Sequence, residues 1–170
     1  MTNSLAARVT EAAASVSGQY NRLILVVGEA SSGKTAALAR VARELNWPRI
    51  NVSLTLSAGL LELSHKQRRV RAPHLLGDIC RGTSTTTVVL DNIELLFTPE
   101  LDLDPLRLLQ GLSRHQTVIA AWRGTFDGSA LTYAAPGHLE ARRIVNPAVC
   151  VLVTEETDLP AVRSVGGGTS

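Results

Sequence analysis

Eight consecutive residues have the types and the spacing that bind phosphate groups. They are Gly28, Glu29, Ala30, Ser31, Ser32, Gly33, Lys34 and Thr35, which form the pattern G-x-x-x-x-G-K-T. The two glycines let the backbone turn so that successive N–H groups point at phosphate oxygens. The Lys34 ammonium would contact the β- and γ-phosphates, and the Thr35 hydroxyl would ligate Mg²⁺. The pattern therefore predicts a site for ATP and Mg²⁺.

A strand and a helix are predicted on either side of this loop. Residues 23–27 are apolar and uncharged, which is typical of a strand buried on both faces of a parallel sheet. Residues 36–45 have strong helix propensity, so a helix N-terminus would face the phosphates. The alternative is a chance match in a Gly/Ser turn, but it does not predict the flanking strand and helix.

A second stretch suited to metal chemistry ends in Asp91 and Asn92. It follows the strand-like residues 87–90, and an acid in this place, downstream of a phosphate-binding loop, holds Mg²⁺ through its water shell. ATPases of the AAA-like kind usually follow this acid with a glutamate that activates water. Asn92 can orient water but cannot take its proton. Glu94 is the substitute if the backbone turns correctly; otherwise it is a surface residue.

Three arginines are candidates for contact with a terminal phosphate. Residues 117–121 predict a fourth strand, and in AAA-like sheets its end carries a polar sensor of the γ-phosphate, where Arg123 is the charged candidate. Arg142 and Arg143 end a predicted short helix, 138–143, just before the last predicted strand. An arginine there reaches the phosphate on a neighbouring subunit in AAA-like ATPases, which predicts a catalytic role in a homo-oligomer. The alternative is that both arginines pair with surface acids or are solvated.

A basic cluster at residues 65–71 is the densest in the chain. It is interpreted either as a solvated helix face or as a docking face for DNA or an acidic partner. The other predicted elements are a helix at 4–17, a strand at 49–54, a helix at 57–80 broken near Pro73, a helix from Asp102, a turn-rich connection at 125–137 and a strand at 148–153.

Composition limits the class of protein. The chain has 170 residues, of which 45% are hydrophobic and 19% charged, as in an ordinary globular α/β protein. Aromatic residues make up 4% and the net charge is +2, so neither a base-stacking platform nor general nucleic-acid attraction is indicated. Membrane spans, a secretion signal and Cys/His metal spacing are not apparent, which predicts a cytoplasmic protein with two reduced thiols.

These elements predict an α/β fold with one domain. We expect a P-loop NTPase three-layer sandwich with an AAA-like minimal core, a mainly parallel sheet of about five strands and a ligand at the strand carboxyl ends. The domain would span residues 1–162, including the N-terminal helix, and residues 163–170 would form a flexible tail.

The chain resembles the BrxF family, the small P-loop proteins of type 3 BREX anti-phage systems in bacteria. The phosphate-binding loop belongs to a vast superfamily, whereas the stretches 91–97, 104–114 and 136–138 point to this family. The resemblance covers the chain from about the first predicted strand to Arg143. It implies an ATPase that acts beside a DNA methyltransferase, a PglZ-like protein and a larger P-loop ATPase.

Three functional hypotheses follow from the sequence. The first is an ATP-binding, slowly hydrolysing component of a phage-defence complex. The second is a nucleotide-gated adaptor with little or no hydrolysis, which the missing glutamate at position 92 favours. The third is a small-molecule kinase, which would need an arginine-bearing lid for which only residues 66–71 offer arginines.

Overall fold

A computed structural model describes residues 4–29, 34–133 and 142–154. Its helices are α1 (Leu5–Val16), α2 (Lys34–Glu44), α3 (Val52–Leu60), α4 (His65–Gly82) and α5 (Pro105–Leu112), with 3-10 helices at Ile93–Phe97 and Pro99–Leu101. Its strands are β1 (Leu23–Gly28), β2 (Arg49–Asn51), β3 (Thr87–Asp91), β4 (Thr117–Phe126), β5 (Ala130–Tyr133), β6 (Arg142–Val145) and β7 (Cys150–Val153). Within these residues, no helix combines the length and the apolar composition that crossing a bilayer requires.

The protein is an α/β structure built on a mostly parallel sheet. Five strands run in the order β2-β3-β4-β1-β7, and each neighbouring pair in this path is parallel. Strand β4 therefore lies between β1 and β3, so the strands that lead to Gly28 and Asp91 are separated by one strand. The prediction of a mainly parallel sheet is confirmed.

Helices cover the sheet on both faces. Leu23, Leu25 and Val27 of β1 join a core with α3, α4 and α5, whereas Ile24 and Val26 join a second core with α1 and α2. Alternate residues of a strand point to opposite faces, so an uninterrupted apolar run is required where both faces are covered. The prediction of a doubly buried first strand is confirmed by the complete burial of β1.

The predicted strand at 49–54 is wrong in its second half. Strand β2 ends at Asn51, and its side chain accepts a hydrogen bond from the Leu54 backbone N–H at 3.0 Å. Asn51 thus caps α3, because an N-cap side chain satisfies a backbone donor that the first helical turn leaves free. The alternation of apolar residues in 49–54 is that of a strand, but the cap decides for the helix.

The predicted helix break near Pro73 is also wrong. The break lies at residues 61–64, and α4 runs through Pro73 without ending. A reciprocal capping box between Ser64 and Gln67 starts α4, and the buried residues Ala72 and Leu76 hold it against the core on either side of the proline. These contacts offset the roughly 3 kcal/mol that an interior proline costs a helix.

The predicted connection at 125–137 contains a hairpin instead of only turns. Strand β4 continues to Phe126 and pairs antiparallel with β5, which pairs antiparallel with β6. Gly124 is required here because a Cβ would lie 1.8 Å from the Thr132 carbonyl oxygen. In the turn, Asp127 accepts hydrogen bonds from the backbone N–H groups of Ser129 (2.8 Å) and Ala130 (2.7 Å), which lower the pKa of its carboxyl.

The predicted helix at 138–143 is wrong at its end. Arg142 and Arg143 lie on strand β6, where Arg142 is opposite Tyr133 and Arg143 is opposite Thr132. Residues 138–141 lie outside the described part of the chain. The pairing with β5 decides the conformation, because edge-to-edge backbone hydrogen bonds replace the local helix propensity of this segment.

Candidate functional site

The carboxyl ends of the parallel strands bring the predicted site residues to one edge of the sheet. Gly28 ends β1, Lys34 begins α2 and Asp91 ends β3. Glu29 is exposed, and Ala30, Ser31, Ser32 and Gly33 lie outside the described residues. The N-terminus of α2 therefore faces the strand end that carries Asp91, the arrangement in which a helix dipole favours an anion.

Asp91 is a buried carboxylate held by three groups. The Thr35 hydroxyl donates to its Oδ1 at 3.3 Å, and the Asn92 backbone N–H donates to the same oxygen at 2.9 Å. An Arg49 Nη1 donates to Oδ2 at 3.3 Å. The side chain is only 1% exposed, so its orientation is held by hydrogen bonds rather than by solvent. The contact joins the hydroxyl and the carboxylate predicted as metal ligands.

Lys34 is a buried cation with no described carboxylate bonded to it. Its exposed fraction is 7%, and burial is the largest cause of the lowering of its pKa. Asp91 and Glu94 oppose this shift, whereas Arg123 adds to it. A charged group that is removed from water without a paired counter-charge is costly. A bound anion would therefore stabilise the charged form of Lys34.

The backbone turns sharply at Asn92, and this turn places Glu94 on a 3-10 helix. Asn92 has a left-handed backbone (φ 50°, ψ 56°), a conformation that asparagine tolerates better than most residues. Its carbonyl accepts hydrogen bonds from the backbone and hydroxyl of Ser53. This turn starts the 3-10 helix in which half-buried Glu94 lies close enough to Lys34 to oppose the lowering of its pKa. Of the two carboxylates that act on Lys34, Asp91 is held by Thr35 and Arg49, so Glu94 is the candidate for activating water.

Arg49 and Ser53 are site residues that sequence reasoning missed. Arg49 balances the charge of Asp91, and Ser53 anchors the turn that follows Asp91 by also accepting from the Leu95 N–H at 3.2 Å. The signal would have been the pairing of β2 with β3, which places Asn51 opposite Asp91. Neither residue stands close to the acid in sequence, so only the strand order shows the contact.

Arg123 lies where the sequence predicted a charged sensor. It ends the part of β4 that pairs with β1, opposite Gly28, and it is close enough to Lys34 to lower the pKa of that lysine. The guanidinium is exposed, so it is free to move toward a ligand at the α2 N-terminus. Its neighbour Trp122 is buried in the core, where the indole N–H donates to the Thr132 carbonyl at 3.0 Å.

Arg142 and Arg143 make no described contact with Lys34, Thr35 or Asp91. The Arg142 guanidinium stands 5.9 Å from the centre of the Phe97 ring, and both arginines line a cavity of about 300 Å³ with Asp104 and Ile144. Neither is among the groups that shift the pKa of Lys34. Within one chain they do not join the site, and the predicted contact with a neighbouring subunit stays a prediction.

The basic cluster at 65–71 is largely engaged in contacts within the chain. Arg68 donates to the carbonyls of Leu60 and Leu61 at the end of α3, and Arg69 donates to the Glu100 carbonyl. His65 pairs with the Glu100 carboxylate, and Arg71 lies 3.7 Å from a carboxylate oxygen of Asp78. The structure therefore gives these arginines a role within the chain, in holding α4 in place.

Removal of the Arg49 charge tests, without any nucleotide, whether Mg²⁺ binds beside Asp91. In Arg49→Ala we expect a loss of stability in the absence of Mg²⁺, of about 1–3 kcal/mol, because the buried Asp91 carboxylate loses its cation. Addition of Mg²⁺ should restore part of the loss, because a divalent cation can replace the guanidinium beside Asp91. Thermal unfolding with and without Mg²⁺ measures this.

The matched control is Arg40→Ala, which breaks the exposed pair between Arg40 and Glu44 on α2. Its stability should not respond to Mg²⁺. An equal Mg²⁺ response in both variants would contradict a metal site at Asp91.

Comparison with known proteins gives no further guide to the site. The sequence matches no model of a protein family, and no curated protein is significantly similar to it. The resemblance to the BrxF family therefore stays a prediction.

Proposed function

We propose that the protein binds ATP with Mg²⁺ at the carboxyl edge of the sheet, as a P-loop NTPase with an AAA-like core. The observation that carries the proposal is the 3.3 Å contact between the Thr35 hydroxyl and Asp91. The two residues are 56 positions apart, and they match in type the hydroxyl and the carboxylate that hold Mg²⁺ in P-loop proteins. The strand order, with β4 between β1 and β3, supports the same fold.

The described residues fit an anionic ligand that carries its own cation. Buried Lys34 lacks an ion pair with any described residue and lies at the N-terminus of an 11-residue helix. A triphosphate would supply the missing negative charge, and Arg123 offers a second cation at the same edge. Asp91 and Thr35 would hold the magnesium, which neutralises phosphate charge when it is bound. Equilibrium titration with ATP, in Mg²⁺ and then in EDTA, tests the proposal.

Slow hydrolysis is proposed because a water-activating carboxylate is displaced from its usual position. Position 92 is an asparagine whose backbone carbonyl accepts a hydrogen bond from the Ser53 hydroxyl. The next acid along the chain, Glu94, lies on a 3-10 helix. The second candidate, a nucleotide-gated adaptor, is favoured by the same asparagine, because it leaves the position after Asp91 without a base. The turn at Asn92 connects the site to α3 through Ser53, which would let a partner read the bound state.

Turnover of two variants separates these candidates. If Glu94 activates water, Glu94→Gln should lower turnover by about a hundredfold or more, because a general base contributes roughly 10²–10⁴. Asn92→Glu should raise turnover if the missing base limits the reaction. Phosphate release under saturating ATP measures both, and Glu62→Gln, an exposed carboxylate outside the site, is the control.

Intact ATP binding with no detectable turnover in the unaltered protein or in Asn92→Glu would favour the adaptor. Brisk turnover that survives Glu94→Gln would contradict both the slow reaction and the role of Glu94.

We further propose that the protein works as a component of a bacterial BREX phage-defence complex. The support is the resemblance of residues 91–97 and 104–114 to the BrxF family. Its partners would be a methyltransferase, a PglZ-like protein and a larger P-loop ATPase. Co-purification of these proteins with the tagged chain, in ATP and in its absence, tests the assignment.

A further inference from the structure

A groove on the outer surface of the helix layer is not used by the proposed nucleotide site. It lies between α4 and α5 and has a volume of about 270 Å³, slightly below the range typical of small-molecule pockets. Its residues come from one stripe of each helix and from the turn after α5: Pro73, His74, Gly77, Arg81, Arg107, Leu108, Gly111, Leu112 and His115.

The floor of the groove is apolar and its rim is basic. Leu108, Leu112 and Pro73 are half-buried, which leaves part of each side chain open to the groove. The four polar lining residues are His74, Arg81, Arg107 and His115, all basic and all exposed. A carboxylate is absent from the described lining; Asp78, beside the groove, holds Arg81 at 2.6 Å. An apolar centre with a polar rim is the composition of a protein interface.

One of the two glycines that line the groove leaves it open to close approach, and the other is covered by an arginine. Gly111 lies on α5, and a Cβ added there would meet nothing within 4 Å. Gly77 lies on α4 beneath the Arg81 guanidinium, which would be 3.2 Å from an added Cβ. Glycine is less favourable inside a helix than alanine. The open space between the two helices is therefore present at the expense of helix stability. At Gly111 the missing side chain lets another backbone approach closely.

We propose that this α4–α5 groove docks an acidic amphipathic helix of a partner protein. Apolar side chains spaced three or four residues apart would lie on Leu108, Leu112 and Pro73, as in helix-in-groove recognition. Carboxylates on the flanks of that helix would pair with Arg81 and Arg107, whose guanidinium groups bind carboxylates in a bidentate manner. An apolar floor favours this occupant over nucleic acid, whose backbone offers only charge and polar groups.

The groove is independent of the proposed nucleotide function. It lies on helices that contribute no described contact to Lys34, Thr35 or Asp91. Lys34→Ala should therefore leave docking unchanged in the absence of nucleotide, so that failure of one proposal can be told from failure of the other.

Selection from a random peptide library tests the proposal. The immobilised full chain serves as bait, and Gly111→Leu serves for counter-selection, because that side chain enters open space and fills the groove without a clash. We expect enriched peptides with a net negative charge and apolar residues at helical spacing. Their affinity should fall strongly in Gly111→Leu, because the added side chain occupies the place of the bound helix. It should fall about threefold or more in Arg81→Ala/Arg107→Ala, because two exposed guanidinium groups lose their carboxylate partners.

Matched controls keep the test specific. Gly82→Leu also adds a side chain where nothing lies within 4 Å, and Arg40→Ala/Arg43→Ala removes two exposed charges from α2 on the opposite face of the sheet. Neither should weaken binding. Failure to enrich acidic peptides, or equal binding to Gly111→Leu and Gly82→Leu, overturns the proposal. Tighter binding of a short DNA duplex than of any selected peptide, lost in Arg81→Ala/Arg107→Ala, overturns it in favour of nucleic acid.

Discussion

Replacement of Lys34 by alanine should lower the affinity for ATP by at least about tenfold and toward a hundredfold. A charge-assisted hydrogen bond to phosphate is worth roughly 1.5–3 kcal/mol, and no other described lysine lies at the N-terminus of α2. Titration of ATP against the variant, with Lys66→Ala as an exposed lysine control, measures the loss.

The same variant should stay folded. In the folded chain the pKa of Lys34 lies below 10.5, its ordinary value, chiefly because of burial. A folded state that binds the proton more weakly than the unfolded state is destabilised by the charge at neutral pH. Alanine removes that cost and suits a helix, so thermal stability without ATP should be maintained while the stabilisation by ATP is lost. Unchanged ATP affinity in a folded variant would remove the phosphate-binding assignment.

Replacement of Asp91 by asparagine should show the effect of Mg²⁺ on ATP affinity separately from any effect on folding. Asp91→Asn keeps a side chain of the same shape but loses the charge, so the part of ATP affinity that depends on Mg²⁺ should fall severely. Affinity in EDTA should change little. Titration of ATP in Mg²⁺ and in EDTA gives the two values, and Asp78→Asn, which removes the same charge from the exposed side of α4, should change neither.

Asp91→Ala should in addition weaken the fold. It leaves the Thr35 hydroxyl, the Asn92 N–H and Arg49 without their acceptor, and each unsatisfied buried polar group costs about 1–3 kcal/mol. Urea unfolding should show one combined loss near the lower end of this range, because Thr35 and Arg49 reach solvent and can bond to water instead. A stable Asp91→Ala protein that retains its Mg²⁺ dependence would contradict a structural and metal-binding role of this carboxylate.

The sequence by itself was sufficient to predict the elements that depend on residues close together in the chain. A run of apolar residues at 23–27 identifies a strand covered on both faces, and the structure buries every residue of β1. The helix predicted from Asp102 is present, but it begins at Pro105, and Asp104 caps it by accepting from the Arg107 N–H at 3.2 Å. These features are visible because periodicity and caps act over a few residues.

Local patterns failed where a distant contact decided the conformation. Alternation at 49–54 resembles a strand, yet only Arg49–Asn51 has a partner strand, β3, to pair with. Asp127, Gly128 and Ser129 resemble a loop, yet they turn a hairpin that Gly124 makes possible by letting β5 approach. Pro73 is typical of a helix end, but packing of its neighbours against the core keeps α4 continuous.

For the candidate site, the residue types of Lys34, Thr35 and Asp91 came from the sequence, because their chemistry and spacing are characteristic. Their meeting at one edge, and the presence of Arg49 and Glu94 among them, was decided by the tertiary structure. The order in which strands lie in a sheet depends on packing of the whole chain and not on any segment. The charge balance of a buried carboxylate depends on that order, so only the folded chain shows which cation neutralises Asp91.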